Sequence, residues 1–171
     1  GVDSGTLSEI DEKLVRAAAR THLATGLIIA SHTGGDGAGT HELEVLREEG
    51  VAPGAFIWVH AQNERDLDRH VKAAESGAWI EFDSIGPNSI ERHLALVSNM
   101  KEHALLGRVL LSHDAGWYSV GEPRGGSFRP YTTLIDEFIP ALKKAGFSED
   151  EIRRMTIENP REASAIRTRS L

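Results

Sequence analysis

Four short apolar segments, Leu27–Ala30, Phe56–Val59, Trp79–Phe82 and Val109–Leu111, recur at intervals of roughly 27 residues, the length of one strand–helix unit in a closed βα barrel. Each is bounded by turn residues or charges, the pattern of strands buried on both faces. Helical signatures fill the gaps. Ser8 and Asp11 form a capping-box pair ahead of a helix that runs to Thr25 and stops at Gly26, with Ile10, Leu14, Val15 and Ala18 expected on one face. Thr40–Glu49, Glu64–Glu75 and Ile90–Leu106 follow, the last with Asn88 and Glu91 as a capping pair. Thr132–Lys144 comes next, where Pro140 predicts a kink or a split, and Ser148 with Glu151 opens a short final helix. Strict alternation of this kind predicts a parallel sheet with right-handed crossovers.

Four such units occupy 171 residues, whereas a complete (β/α)8 barrel takes about 250. The expected architecture is therefore α/β, a single partial domain over 1–171 that amounts to half of a TIM barrel. A doubly wound nucleotide-binding sheet would carry a phosphate loop after its first strand. The run Gly34, Gly35, Asp36, Gly37, Ala38, Gly39 matches neither such motif. The formal net charge of −7 argues against a nucleic-acid partner. There is no cysteine, so any metal must be held by His, Asp and Glu. No apolar run approaches the roughly 18 residues of a membrane span, and the first residues lack a leader pattern, so no membrane partner and a cytoplasmic setting are expected.

In a βα barrel, chemistry collects at the C-terminal ends of the strands. Those ends carry Ser31-His32, His60, Asp83 and His113-Asp114. Neutral imidazole and carboxylate are ligands of zinc, manganese, cobalt or iron(II). A metal brings the pKa of bound water to about 7, and a carboxylate beside it can receive the proton. His113 and Asp114 are neighbours, so strand alternation sends their side chains opposite ways. Asp83 fits either a supporting role for a ligand or a loop cap. His22, His41, His70, His93 and His103 fall on helices or their starts and are expected to face solvent. The long loop from Ala115 to Tyr131 carries Trp117, Tyr118 and Arg124, suited to apolar contact and to holding an anionic or carbonyl group.

Taken in order, His22-Leu23-Ala24-Thr25-Gly26, Ser31-His32-Thr33, Val59-His60, Glu81-Phe82-Asp83, Leu111-Ser112-His113-Asp114 and Glu158-Asn159-Pro160-Arg161 resemble the phosphotriesterase family of the amidohydrolase superfamily, lactonases included. The resemblance spans essentially the whole chain and implies the C-terminal half, strands 5–8, of the barrel. It implies a binuclear divalent transition-metal centre, zinc first, with His32 and His60 on the more exposed metal. Asp114 would bind the more buried metal and accept a proton from the bridging hydroxide that attacks an ester, lactone or phosphotriester. The family's His-x-His and its bridging carboxylated Lys are absent from this sequence. Ser84 and Asn63 stand where the best-known phosphotriesterases carry a His and an Asp.

Two other readings fit the same residues. One is a non-catalytic binding or scaffold fragment without a competent metal centre. The other is a metal-free barrel enzyme using Asp83 and Asp114 as an acid/base pair. Either way, half a barrel has open strand edges and an apolar interior, which predicts association with a missing N-terminal half or with itself.

Overall fold

The computed structural model describes residues 1–171. Its elements run α1 (Glu9–Thr25), β1 (Ile29–His32), α2 (Ala38–Glu48), β2 (Phe56–Val59), α3 (Leu67–Ser76), β3 (Trp79–Phe82), α4 (Ile90–Glu102), β4 (Val109–Leu111), α5 (Ile139–Lys144), α6 (Glu149–Arg153) and α7 (Asn159–Ala163). The four strands form one parallel sheet in the order β1-β2-β3-β4. Val2 adds a single parallel bridge to Thr33 beyond the β1 edge. No helix is long and apolar enough to cross a membrane.

Alternation along the strands separates two faces. Phe56, Trp58, Ile80, Phe82 and Val109 are fully buried and meet the helices, where Leu46, Val97, Met100, Phe138, Leu142 and Met155 complete the core. The opposite face carries Ala30, His32, Ile57, Val59 and Glu81, which are exposed or half-buried, while Trp79 and Leu110 on the same face are buried in a small cluster with Ala163. It therefore differs from the fully covered strands expected from the apolar runs. Packing on the helix side is close. A Cβ on Gly39 of α2 would meet the Trp58 ring at 2.4 Å, so only glycine lets that indole lie against the helix.

Several local features depart from expectation. β1 lies two residues later than the apolar run, because the ladder extends through Ser31 and His32 while Leu27 stays outside. α1 keeps its Ser8–Asp11 capping box, but it is rotated. Val15, Ala19 and His22 point inward, while Ile10 and Leu14 are exposed. α2 begins inside the glycine run, and α3 begins at Leu67 under an Asp66 cap. Glu64 stays outside that helix. Its carboxylate accepts the Gly37, Arg65 and Asp66 N–H groups and ties the first two strand–helix loops together. The Asn88–Glu91 cap does not form. Ser89 occupies the N-cap position, and its hydroxyl lies 3.1 Å from both the Ser84 and Gly86 carbonyls instead of capping the helix.

The last helices show how proline is housed. A π-turn over Leu134–Phe138 runs directly into α5, and another over Arg154–Glu158 runs into α7. Pro140 and Pro160 each sit in the first turn after the widened segment. A proline cannot donate to the carbonyl four residues back and its ring collides with it. Shifting to i→i+5 bonding lets the chain continue without a break.

Candidate metal centre

Six non-glycine residues have left-handed backbone, and three of them, His60 (φ 61°), Ser84 (φ 60°) and Asp114 (φ 43°), stand just past the ends of β2, β3 and β4. Such residues cost about 1 kcal/mol or more each and concentrate where side chains must be aimed. Here they turn the chain sharply as it leaves the sheet.

Asp83 is the hub of this edge and is almost wholly buried. Its Oδ2 accepts the His60 N–H at 2.8 Å and lies 2.7 Å from His60 Nδ1. Its Oδ1 accepts Gln62 Nε2–H at 2.7 Å and the Ser84 hydroxyl at 3.0 Å. Gln62 returns the contact, its Oε1 accepting the Asp83 N–H at 3.1 Å. A carboxylate offers about four acceptor sites, and all of them are taken. The side-chain ligand atoms of His60, Asp83 and Asp114 lie within 4.8 Å of one another. With all its acceptor sites taken by hydrogen bonds, Asp83 fits the supporting role for a ligand better than that of a ligand itself. Its contact holds His60 as the Nδ1–H tautomer and leaves Nε2 with a lone pair, the usual carboxylate–histidine arrangement behind a metal.

The His32 ring stands edge-on to the His60 ring, with centroids 4.2 Å apart, and is exposed on the open face of the sheet. Asp114 comes in from the other side, its Oδ2 3.4 Å from Ser84 Oγ. Its carbonyl accepts Trp117 Nε1–H at 3.0 Å and the Arg129 guanidinium. His113 turns away, and its Nε2 accepts the Leu134 N–H at 2.9 Å. Burial, and then Arg129, hold that imidazole below its usual pKa, consistent with an accepting nitrogen. The side chains close enough to share an ion are therefore His60, Asp83 and Asp114, whereas His32 lies outside that trio and meets it only through its ring contact with His60. Imidazole and carboxylate are donor types that suit zinc, manganese, cobalt or iron(II).

Gln62 and Glu81 belong to this site and are not singled out by the sequence. Glu81 shares the open sheet face with His32. Burial pushes its carboxyl up, only partly offset by a hydrogen bond with Ser112. Nothing in the primary structure separates these two from ordinary polar residues, apart from their place two residues after His60 and two before Asp83. In the long loop, Trp117 and Tyr131 line an open cavity of about 600 Å³ beside Ser112, His113 and Asp114. Tyr118 instead packs on Gly125, and the exposed Arg124 does not line the cavity.

Three of the five helix histidines expected at the surface are buried: His22, His70 and His93. Each fastens a helix to a strand end or loop. His22 Nδ1–H donates to the Leu27 carbonyl while its Nε2 accepts the Arg169 N–H. His70 donates from Nε2 to the Ala61 carbonyl, and His93 faces the carbonyls of Ser89 and Asp83. A buried imidazole can satisfy a stray carbonyl while contributing aromatic contact, so charged neighbours in sequence disguise their inward orientation.

The sequence profile described as "Phosphotriesterase family" matches residues 1–163. A phosphotriesterase homology protein of Escherichia coli (strain K12) is 34% identical over 163 residues, covering 94% of this chain and 55% of that protein. The crystal structure of the E. coli phosphotriesterase homology protein, complexed with phosphate in its active site, superposes with a TM-score of 0.76 at 30% identity. It is matched over 93% of this chain and 56% of its own. An aryldialkylphosphatase of Saccharolobus solfataricus is 26% identical over 161 residues, covering 88% of this chain and 51% of that enzyme. A phospho-furanose lactonase of Mycoplasmopsis synoviae is 29% identical over 179 residues, covering 97% and 49%. The chain spans about half the length of these relatives, and its four strand–helix units correspond to half of a phosphotriesterase/lactonase barrel.

Proposed function

The chain belongs to the phosphotriesterase family, and from that premise we propose that it carries half of the catalytic centre of a metal-dependent hydrolase acting on a small ester, lactone or phosphotriester. The observation that carries this reading is the commitment of His60 Nδ1 to Asp83, with the His32 ring centroid 4.2 Å from that of His60 and Asp114 in the same cluster as His60 and Asp83. His32, His60 and Asp114 would hold the metal, zinc in the first instance. When bound, it would polarise the substrate carbonyl or phosphoryl oxygen and acidify water.

The chain's own residues do the rest. Asp83 orients His60 and fixes its tautomer. Asp114 accepts the proton of the attacking water, within reach of the Ser84 hydroxyl. Trp117 and Tyr131 offer an apolar wall for the acyl or leaving group. The open sheet face, where Ala30 and His32 are exposed, would be covered by an N-terminal half-barrel or by a second copy of the chain, in a cytoplasmic setting.

The deciding experiment is metal content by elemental analysis, followed by assays on an aryl ester, a lactone and an aryl phosphotriester with the barrel complete. About one transition metal or more per chain, lost on H60A, is the expected result. A metal-free chain whose completed barrel turns over none of the three would leave a scaffold, and chelator-resistant turnover would favour a metal-free Asp83/Asp114 pair.

A further inference from the structure

Glu42 on α2 is fully buried behind the end of β1, and its Oε1 has no hydrogen-bond partner. Its Oε2 lies 2.7 Å from Thr33 Oγ1, and that hydroxyl also lies 2.9 Å from the Ser31 carbonyl. A threonine hydroxyl has one proton to give, and a carbonyl can only accept. With the hydroxyl proton directed to Ser31, the 2.7 Å contact is a hydrogen bond only when Glu42 supplies the second proton.

We propose that Glu42 is held as the neutral acid and that the chain Glu42 Oε2–H to Thr33 Oγ1–H to Ser31 O is a positioning device for His32, the residue between its two anchor points. The orphan Oε1 is then the carbonyl oxygen of an acid, which tolerates a dry site far better than half of an anion does. Burial pushes the Glu42 carboxyl above its ordinary range, and the side chains of Ser31 and Thr33 draw it back only in part. Thr33 is also held through its backbone, its N–H donating to Val59 O. The device therefore acts on the strand end at the point where the imidazole leaves it. The positioning role rests on reading His32 as a metal ligand, whereas the protonation of Glu42 does not.

The test uses the 171-residue chain, an infrared difference spectrum and a competitive Zn(II) titration. Wild type minus E42Q should show the carbonyl stretch of a protonated carboxyl at neutral pH, and its absence overturns the neutral acid. The side-chain amide introduced by E42Q can still donate to Thr33, so Zn(II) affinity should stay within about twofold, while T33V and E42L should weaken it about 10–100-fold, as loss of a supporting partner does. E42L removes a buried polar group and should melt no lower than wild type, so a loss of affinity there cannot be put down to unfolding. E42L and T33V with wild-type affinity overturn the positioning role, and E42Q as weak as E42L overturns the donor. A wild-type chain that binds no Zn(II) sinks the ligand reading and the positioning role with it, while the infrared band still decides the protonation.

Discussion

His60 Nδ1 and Asp83 Oδ2 are 2.7 Å apart, and the same carboxylate oxygen also accepts the His60 backbone N–H. One side chain thus sets both the turn that carries the imidazole and the ring's tautomer. D83N would place an amide N–H or a weaker acceptor against these donors. Metal affinity should drop about 10–100-fold. D83A, which orphans four donors at this site, should cost at least about 1–3 kcal/mol of stability, read from urea midpoints. A metal affinity unchanged in D83N would remove Asp83 from the site.

Asp114 is bound into the fold chiefly through its backbone carbonyl, so its carboxylate can be changed with little structural loss. D114N should lower kcat/KM in the completed barrel by about 10²–10⁴-fold, the range for a lost acid–base group. Circular dichroism and melting temperature should stay at wild-type values. Retained turnover would remove Asp114 as the proton acceptor.

His70 bears on acid stability. Burial among Trp58 and Phe82 holds its pKa below the usual 6.5. The unfolded chain therefore takes up the proton first as the pH falls, and stability declines from about pH 6.5 downward. H70Q has no such proton to bind. It should lose about 1 kcal/mol at neutral pH yet show a flatter slope between about pH 7 and 5, with His113, depressed in the same direction, accounting for some of what remains. An identical slope in H70Q would shift the acid sensitivity to other groups.

Asn159 holds the base of β4. Its amide donates to both the Leu106 and Val109 carbonyls from a buried position. N159A should cost about 1–3 kcal/mol. The nearly isosteric N159D should cost more at neutral pH, because a carboxylate would face two carbonyl oxygens. If the two variants denature alike, packing rather than hydrogen bonding is what Asn159 supplies.

The strands and their direction are legible because short apolar runs at a constant interval leave a chain few alternatives. The β1 ladder runs two residues past its apolar segment, through the polar Ser31 and His32, which a search for apolar runs does not mark. The ligand candidates can be read from position alone. Of their surroundings only Asp83 is legible, as a support or a loop cap, whereas Gln62 and Glu42 depend on side chains meeting across strands and helices far apart in sequence. The buried histidines are hidden for the opposite reason. An inward His22 or His70 looks, one residue at a time, like any polar residue of a charged helix, and only the carbonyl it meets reveals its orientation. Likewise, Pro140 announces a disturbance, but not that a π-turn absorbs it.

The left-handed turn at Ser84 sets two kinds of fitness against each other. Glycine adopts φ near 60° without penalty, so S84G should relieve about 1 kcal/mol of backbone strain while removing the hydroxyl that joins Asp83 to Asp114. A population of this chain screened only for heat resistance should drift toward glycine at that position. One screened for turnover should keep serine, so the residue found there in a laboratory lineage records which demand had shaped it.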